Sequence, residues 1–152
     1  MKQNIKELFR ESKKFLNKEI SLGGWIRTAR SSGEIGFIEL NDGTFFKGLQ
    51  VVFDAKLSNF AEVSTFKTGC AIEVSGTLVP SPAAGQLFEL KAEKIVLVGA
   101  CPEDYPLQKK RHSFEFLREI SHLRARSNTF SAVFRLRSAL SFAIHKFFQE
   151  KG

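Results

Sequence analysis

The chain has 152 residues, of which 43% are hydrophobic and 12% aromatic, with 16 Phe against one Trp and one Tyr. This length provides one packed core and excludes two full domains, so we expect a domain of roughly 100 residues with an appendage. No apolar run approaches the roughly 18 residues of a membrane span, the first 15 residues contain no signal-peptide stretch, and Cys70 and Cys101 match no metal or redox spacing. We therefore predict a reduced cytoplasmic location and no membrane partner.

The formal net charge is +7, and its distribution along the chain is uneven. Residues 101–152 carry ten basic and five acidic side chains, whereas residues 1–100 carry thirteen and eleven. A basic excess at one end indicates a polyanionic partner, such as nucleic acid or a membrane surface. Charge that serves solubility alone is the alternative.

The first predicted element is a short amphipathic helix within residues 1–14, because Ile5, Leu8 and Phe9 fall at helical spacing. From Glu19 onward, short β-type runs alternate with turn-forming clusters that contain Gly, Pro, Ser and Asn. The runs are EISLGGWIRTAR, EIGFIELND, LQVVFD, CAIEVSGTLV and LFELKAEKIVLV. A helix-like pattern that ends at Gly69 lies between the third run and the fourth.

Five short strands with a helix after the third is the element order of an OB-fold. This fold is a small Greek-key barrel that often binds oligonucleotides on one face. We therefore predict a mainly β domain, a five-stranded OB-fold barrel, at residues 15–100. An SH3-like barrel is the competing topology, and the inserted helix and the long first run favour the OB-fold.

The barrel pattern stops after Gly99. Residues 101–128 contain two prolines and the basic run Lys109, Lys110 and Arg111, which predicts a hinge. Residues 129–152 contain no proline and no internal glycine, and Ser127, Asn128 and Thr129 offer helix-capping side chains. The last segment is therefore predicted to be one long helix. Its apolar stripe consists of Val133, Leu136, Leu140, Ala143, Ile144 and Phe147.

Alternation along the strands separates the core from the outer face of the barrel. On this basis Phe37, Gln50 and Glu89 face outward, and Arg30 joins them on the first strand. A ring can stack an unpaired base, an amide and a carboxylate can hydrogen-bond base edges, and a guanidinium can contact phosphate or stack. For each residue a purely structural role stays open: core packing for Phe37, and a solvated surface for Gln50 and Glu89.

No independent catalytic or metal-binding constellation accompanies this face. The three histidines, His112, His122 and His145, have no spacing typical of a metal site. No serine lies in a nucleophile-elbow pattern. We therefore predict no catalytic residue and no metal ligand in the chain.

Two stretches of the sequence carry a resemblance to a known family. The first, in the strands, resembles the N-terminal barrel of the class II synthetases for aspartate, asparagine and lysine, and consists of GWIRTAR (24–30), GFIELNDG (36–43) and LQVV (49–52). The second, YPLQKKRHSFEFLR (105–118) with HLRARSNT (122–129), resembles the hinge of bacterial-type asparaginyl-tRNA synthetases. The Arg-rich phrase usual in the aspartyl enzymes is absent there.

The resemblance implies roles for the four outward residues in tRNA binding. Phe37 matches the position that stacks the central anticodon base, a uridine, and Gln50 the position that hydrogen-bonds it. Glu89 matches an acidic position near the first anticodon base, and Arg30 an arginine that supports the loop. Lys109, Lys110 and Arg111 could contact the tRNA backbone, although a solvated linker is an equal alternative.

For the parent enzyme, the resemblance implies ATP- and Mg²⁺-dependent activation of asparagine, transfer to tRNA, and a homodimer that uses the helix at 129–150. The second and third class-defining motifs do not occur in these residues, so we expect the fragment to bind no cofactor and to be inactive by itself. Three alternatives stay open: an aspartyl-tRNA synthetase fragment, a free-standing OB-fold nucleic-acid binder, and a protein whose work is assembly through the long helix.

Overall fold

The computed structural model describes residues 3–152, which divide into two compact units, residues 3–109 and residues 110–152. The first unit is a five-stranded barrel with short helices. Its elements are α1 (Ile5–Arg10), α2 (Ser12–Phe15), β1 (Glu19–Ser32), β2 (Ile35–Asn41), β3 (Leu49–Asp54), α3 (Phe60–Val63), β4 (Ala71–Pro80) and β5 (Phe88–Gly99).

The strands close into a barrel in the order β1-β2-β3-β5-β4, and β4 returns to pair with β1. The β3–β5 pair is parallel and the other four pairs are antiparallel. With α3 between β3 and β4, this topology confirms the predicted OB-fold and excludes the SH3-like alternative. The helix between β3 and β4 is a single turn, shorter than the sequence pattern indicated.

The core of the first unit lies inside the barrel, and every strand contributes to it. Five aliphatic side chains, one per strand, are 1% exposed or less: Leu22, Ile38, Val51, Ile72 and Leu90. Full burial of such a side chain contributes about 1.5–3 kcal/mol. The alternation of buried and open residues in β2, β3 and β4 leaves the second face of these strands outside the core.

The N-terminal helix α1 is fastened to the turn that follows β2. Asn4 accepts a hydrogen bond from the Glu7 amide, and Glu7 accepts one from the Asn4 amide, which forms a capping box. The Ile5 amide donates to Asp42 Oδ2 at 2.8 Å and the Lys6 amide to Thr44 Oγ1 at 3.1 Å. The start of the helix is therefore positioned by the β2–β3 loop.

An exposed ion pair joins the segment after β5 to the loop before β4. Lys67 Nζ lies 2.7 Å from Glu103 Oε1. The hydrogen bond from Lys67 lowers the pKa of Glu103, and the positive charge of Lys67 lowers it further. Both side chains are open to water, so the pair adds little to stability.

The second unit contains α4 (Phe114–Glu119), a 3₁₀ turn at Arg124–Arg126, and α5 (Asn128–Lys151). Ser127 caps α5 by accepting from the Phe130 amide, as its position in the sequence predicts. The guanidinium of Arg124 lies 5.2 Å and 5.5 Å from the ring centres of Phe130 and Phe134. These contacts link the 3₁₀ turn to the first two turns of α5.

No residue of α5 is buried. Seven of its large apolar side chains are at least 49% exposed: Val133, Leu136, Leu140, Phe142, Ile144, Phe147 and Phe148. Within residues 3–152, no helix is both long enough and apolar enough to cross a bilayer.

Candidate nucleic-acid interface

The outer face of β2 carries the aromatic side chain on which the sequence prediction depends. Gly36 and Ile38 turn toward the core and are buried, whereas Phe37 between them is partly open to solvent and Glu39 is exposed. Gly36 provides room for a core ring, because a side chain there would overlap Phe53 of β3. Phe37 therefore lies outside the barrel core, as its alternation predicts.

A β-bulge brings Arg30 to the same face. Ile26 is 1% exposed, and simple alternation from it would direct Thr28 and Arg30 into the core as well. The register between β1 and β2 shifts between Ile26 and Thr28, so Arg27 is an extra residue in β1. Thr28 and Arg30 consequently lie on the outer face.

Arg30 and Phe37 are direct partners across the β1–β2 ladder. The guanidinium carbon of Arg30 lies 4.9 Å from the centre of the Phe37 ring. Such a contact at an open site contributes about 0.5–1 kcal/mol. Arg30 thereby covers the ring from the β1 side.

Gln50 of β3 lies on the other side of Phe37, opposite Glu39 in the β2–β3 ladder. Its amide nitrogen donates to Glu89 Oε2 at 3.2 Å, and its carbonyl oxygen accepts from Gln86 Nε2 at 3.1 Å. The amide is therefore held at both ends by hydrogen bonds within the protein.

The prediction that Glu89 faces solvent is wrong, because Glu89 is 6% exposed. Its Oε2 accepts from Ser81 Oγ at 3.0 Å as well as from Gln50. Gln50 on β3 and Ser81 at the start of the β4–β5 loop close over the carboxylate. Glu89 thus contacts the outer face from below through Gln50.

Arg30, Phe37 and Gln50 border a cleft of about 340 Å³ in the first unit. Its lining residues are Thr28, Arg30, Phe37, Ile38, Glu39, Gly48, Gln50, Gln86 and Lys109. Three of the four predicted outward residues meet there, together with one of the three hinge cations. Lys110 and Arg111 are exposed and belong to the second unit.

Thr28, Glu39, Gly48 and Gln86 line the cleft without having been predicted as site residues. Glu39 shares the face of Phe37 by alternation, so the sequence contained a signal for it. Gly48 keeps the cleft open, because a Cβ there would come within 2.6 Å of Glu39 Cγ. Gln86 lies in the β4–β5 loop, where no strand periodicity indicates its direction.

The chemistry of the cleft suits an unpaired nucleobase. The Phe37 ring offers a stacking surface, the Gln50 amide a donor beside an acceptor, and Arg30 and Lys109 positive charge for a phosphate. Among residues 3–152, no group of three or more His, Cys, Asp and Glu side chains is arranged to hold a metal ion.

The comparisons with known proteins agree with this chemistry. The model of the family of OB-fold nucleic acid binding domains matches residues 20–98. The chain is 60% identical over 148 residues to the asparagine–tRNA ligase of Clostridium botulinum (strain Eklund 17B), covering 97% of this chain and 32% of that protein. It is 59% identical over 151 residues to the asparagine–tRNA ligase of Clostridium tetani, covering 99% and 33%. The chain therefore spans about a third of the length of these relatives.

Solved structures match the fold as well. The asparaginyl-tRNA synthetase of Pyrococcus horikoshii, complexed with asparaginyl-adenylate, aligns with a TM-score of 0.86 at 21% identity, covering 100% of this chain and 35% of that one. The aspartyl-tRNA synthetase of Entamoeba histolytica aligns with a TM-score of 0.78 at 16% identity, covering 99% and 38%. At these identities the likeness concerns the fold alone.

Proposed function

The chain belongs to the family of OB-fold nucleic acid binding domains, in the form found in asparaginyl-tRNA synthetases, and we propose that its barrel recognises the anticodon of asparagine tRNA. The supporting observation is that Arg30, Phe37 and Gln50, which come from three different strands, border one cleft outside the core. This arrangement provides stacking, hydrogen bonding and positive charge together.

In the proposed complex, the central anticodon base, a uridine, stacks on the face of Phe37 that is turned toward Gln50. Arg30 backs the opposite face of the ring and supports the anticodon loop. Gln50 hydrogen-bonds the Watson–Crick edge of the stacked base. Stacking of one base on one aromatic ring contributes about 1–3 kcal/mol.

Glu89 is proposed to lie near the first anticodon base, a guanosine. Both described hydrogen bonds to its carboxylate go to Oε2, so Oε1 stays as an acceptor for a base N–H donor.

The whole enzyme would attach asparagine to its tRNA with ATP and Mg²⁺, by way of an asparaginyl-adenylate. No group of three or more His, Cys, Asp and Glu side chains comes together in residues 3–152. No step that involves ATP or Mg²⁺ is assigned to them. Their proposed contribution is to select the tRNA.

The remaining segments have proposed roles of their own. Residues 1–14, of which the first two lie outside the described residues, are proposed as a helical lead-in. Residues 15–100 bind the anticodon, residues 101–128 act as a hinge, and residues 129–152 begin the catalytic domain. The exposed apolar face of α5 is proposed to pack in a homodimer of the intact enzyme. The proposed location is the cytoplasm, where the tRNA is charged.

A competition gel-shift assay tests the tRNA proposal. The chain is bound to a labelled tRNA with a G-U-U anticodon and challenged with unlabelled tRNAs at one fixed salt concentration, since such affinities depend on salt. We expect the G-U-U competitor to displace the label at lower concentration than a G-U-C tRNA or an unrelated one. Equal competition by G-U-C would favour an aspartyl enzyme or one that accepts both tRNAs.

Two further outcomes would contradict the proposal. Equal competition by any single strand would indicate a generic OB-fold binder. Absence of all RNA binding would leave assembly through α5 as the role of the chain. Q50A serves as the internal control, because it should weaken binding of G-U-U and G-U-C tRNAs alike, which share the central uridine, while the barrel stays folded.

A further inference from the structure

We infer that Glu89 is a positioning residue, which orients the amide of Gln50 and thereby makes the cleft prefer uracil over cytosine as the stacked base. This inference rests on the proposed function and deepens it. It is carried by a ring of four polar side chains at the outer face, of which Glu89 is the buried member: Gln50, Ser81, Gln86 and Glu89.

Three hydrogen bonds link the four members, and a polar contact between Ser81 and Gln86 completes the ring. Gln50 Nε2 donates to Glu89 Oε2 at 3.2 Å, and Ser81 Oγ donates to the same oxygen at 3.0 Å. Ser81 Oγ also lies 3.2 Å from Gln86 Oε1, and Gln86 Nε2 donates to Gln50 Oε1 at 3.1 Å. One member comes from β3, one from β5 and two from the β4–β5 loop.

The direction of the hydrogen bonds around this ring of polar side chains follows from its single carboxylate, Glu89. A carboxylate offers only acceptors, so the end of the Gln50 amide that faces Glu89 must be the NH₂ group. The reversed amide would direct its carbonyl oxygen at the carboxylate of a residue that is 6% exposed, where water screens the repulsion poorly. The carbonyl end is thereby left facing Gln86, which donates to it.

The ring also leaves part of the Gln50 amide for a ligand. An NH₂ group has two donors and a carbonyl oxygen has two lone pairs, and the ring uses one of each. The free donor and the free acceptor therefore stand side by side in a fixed order. Gln50 and Gln86 both line the cleft, so this pair is accessible there.

That order distinguishes the two pyrimidines. The Watson–Crick edge of uracil presents the O4 acceptor beside the N3–H donor, whereas cytosine presents the N4 donor beside the N3 acceptor. At the end of the edge formed by positions 4 and 3, an amide in one fixed orientation complements uracil, and the reversed amide complements cytosine. For a base that stacks on Phe37 in one position, the orientation of Gln50 decides which pyrimidine is bound.

The test uses two 17-nucleotide anticodon hairpins that differ only in the central base, G-U-U and G-C-U, with dissociation constants measured by fluorescence anisotropy at one salt concentration. We expect the native chain to prefer uracil by about 5- to 150-fold, the range for one good bidentate contact, and E89Q to reduce this ratio to about twofold or less. The matched control is E93Q, which removes the same charge from the same strand at an exposed position.

A variant that reverses the orientation of the Gln50 amide provides a stricter test. The double variant E89Q/Q86E moves the carboxylate to the other side of Gln50 without changing the net charge. The Gln50 NH₂ group must then face residue 86, and we expect the hairpin preference to reverse in favour of G-C-U. Q86E alone, at an exposed loop position, places carboxylates at both ends of the amide and should abolish the preference even if E89Q proves too unstable to assay.

Thermal melts accompany each variant, and only folded protein is compared. If E89Q and Q86E bind with the uracil preference of the native chain, the positioning role is wrong although the proposed function stands. If the native chain binds both hairpins equally, or neither, the proposed anticodon recognition fails and this inference fails with it. A loss of preference in E93Q equal to that in E89Q would also overturn the inference, since it would trace the effect to general charge.

Discussion

The guanidinium of Arg30 lies 4.9 Å from the centre of the Phe37 ring, and the two residues are paired across β1 and β2. The contact covers the ring from one side, and in the proposed complex the base stacks on the other side. It also places a positive charge beside the cleft, where a phosphate of the bound loop could reach it. The proposed complex therefore uses both the planarity and the charge of the Arg30 side chain.

Variants of Arg30 separate the two contributions. R30A should weaken binding of a G-U-U hairpin and lower the slope of log affinity against log salt by about 1. R30K keeps the charge but loses the planar contact, so the slope should stay near that of the native chain while affinity falls. R10A, at an exposed position of α1, is the control. An R30A slope equal to the native one would show that Arg30 contacts no phosphate.

Phe37 should contribute mainly to binding and little to stability, because it lies outside the barrel core. F37A is expected to weaken hairpin binding by about 1–3 kcal/mol, the increment for one stacked base. F37L, which keeps apolar area but removes the flat ring, should lose most of the same increment. If the melting temperature collapses while the affinity of the folded fraction is unchanged, Phe37 is a structural residue.

Gly36 supports the site from inside the barrel. The ring of Phe53, which is 3% exposed, occupies the space where a Gly36 side chain would lie. G36A should therefore destabilise the first unit by about 1–3 kcal/mol through overpacking. Thermal denaturation followed by circular dichroism measures the loss. G23A is the matched control, because its Cβ would meet only ordinary contacts at 3.8 Å, and equal melting of the two variants would contradict the prediction.

Much of the fold could be predicted from local patterns. The alternation in β2 predicted that Phe37 lies outside the core, the capping residues before α5 predicted where that helix begins, and the strand order predicted the OB-fold. These signals depend on short-range periodicity, which needs no knowledge of tertiary contacts. The predicted resemblance to asparaginyl-tRNA synthetases is confirmed by relatives that are 56–60% identical, and the aspartyl alternative is less supported.

The geometry of the cleft depends on features that leave no signal in the local sequence. The bulge at Arg27 reverses the alternation of β1, so the outward position of Arg30 follows from the β1–β2 register and not from a count of residues. The burial of Glu89 depends on a loop that folds back over β5, and loop conformation has no periodicity to predict it. Gln86 was missed for the same reason.

The basic run at the predicted hinge should bind the tRNA backbone without regard to the anticodon. The triple variant K109A/K110A/R111A is expected to weaken binding of G-U-U and unrelated tRNAs by the same factor, because phosphate contacts carry no base information. The salt slope should fall by up to about 2, at about 0.7 per contact for single strands. K56A, at an exposed turn after β3, is the control. An unchanged salt slope would indicate a solvated linker.

The apolar face of α5 should mediate self-association. Leu136, Leu140 and Ile144 lie along one stripe of the helix and are more than half exposed, and a patch of this kind is typical of an interface. We propose a second copy of the chain as its partner. L140K should shift the protein toward monomer in sedimentation velocity, because a charge on the stripe would have to be desolvated in the dimer. S138K, which places the same charge on the opposite side of the helix, should leave the native distribution unchanged. Identical sedimentation of L140K and S138K would exclude this face as the dimer interface.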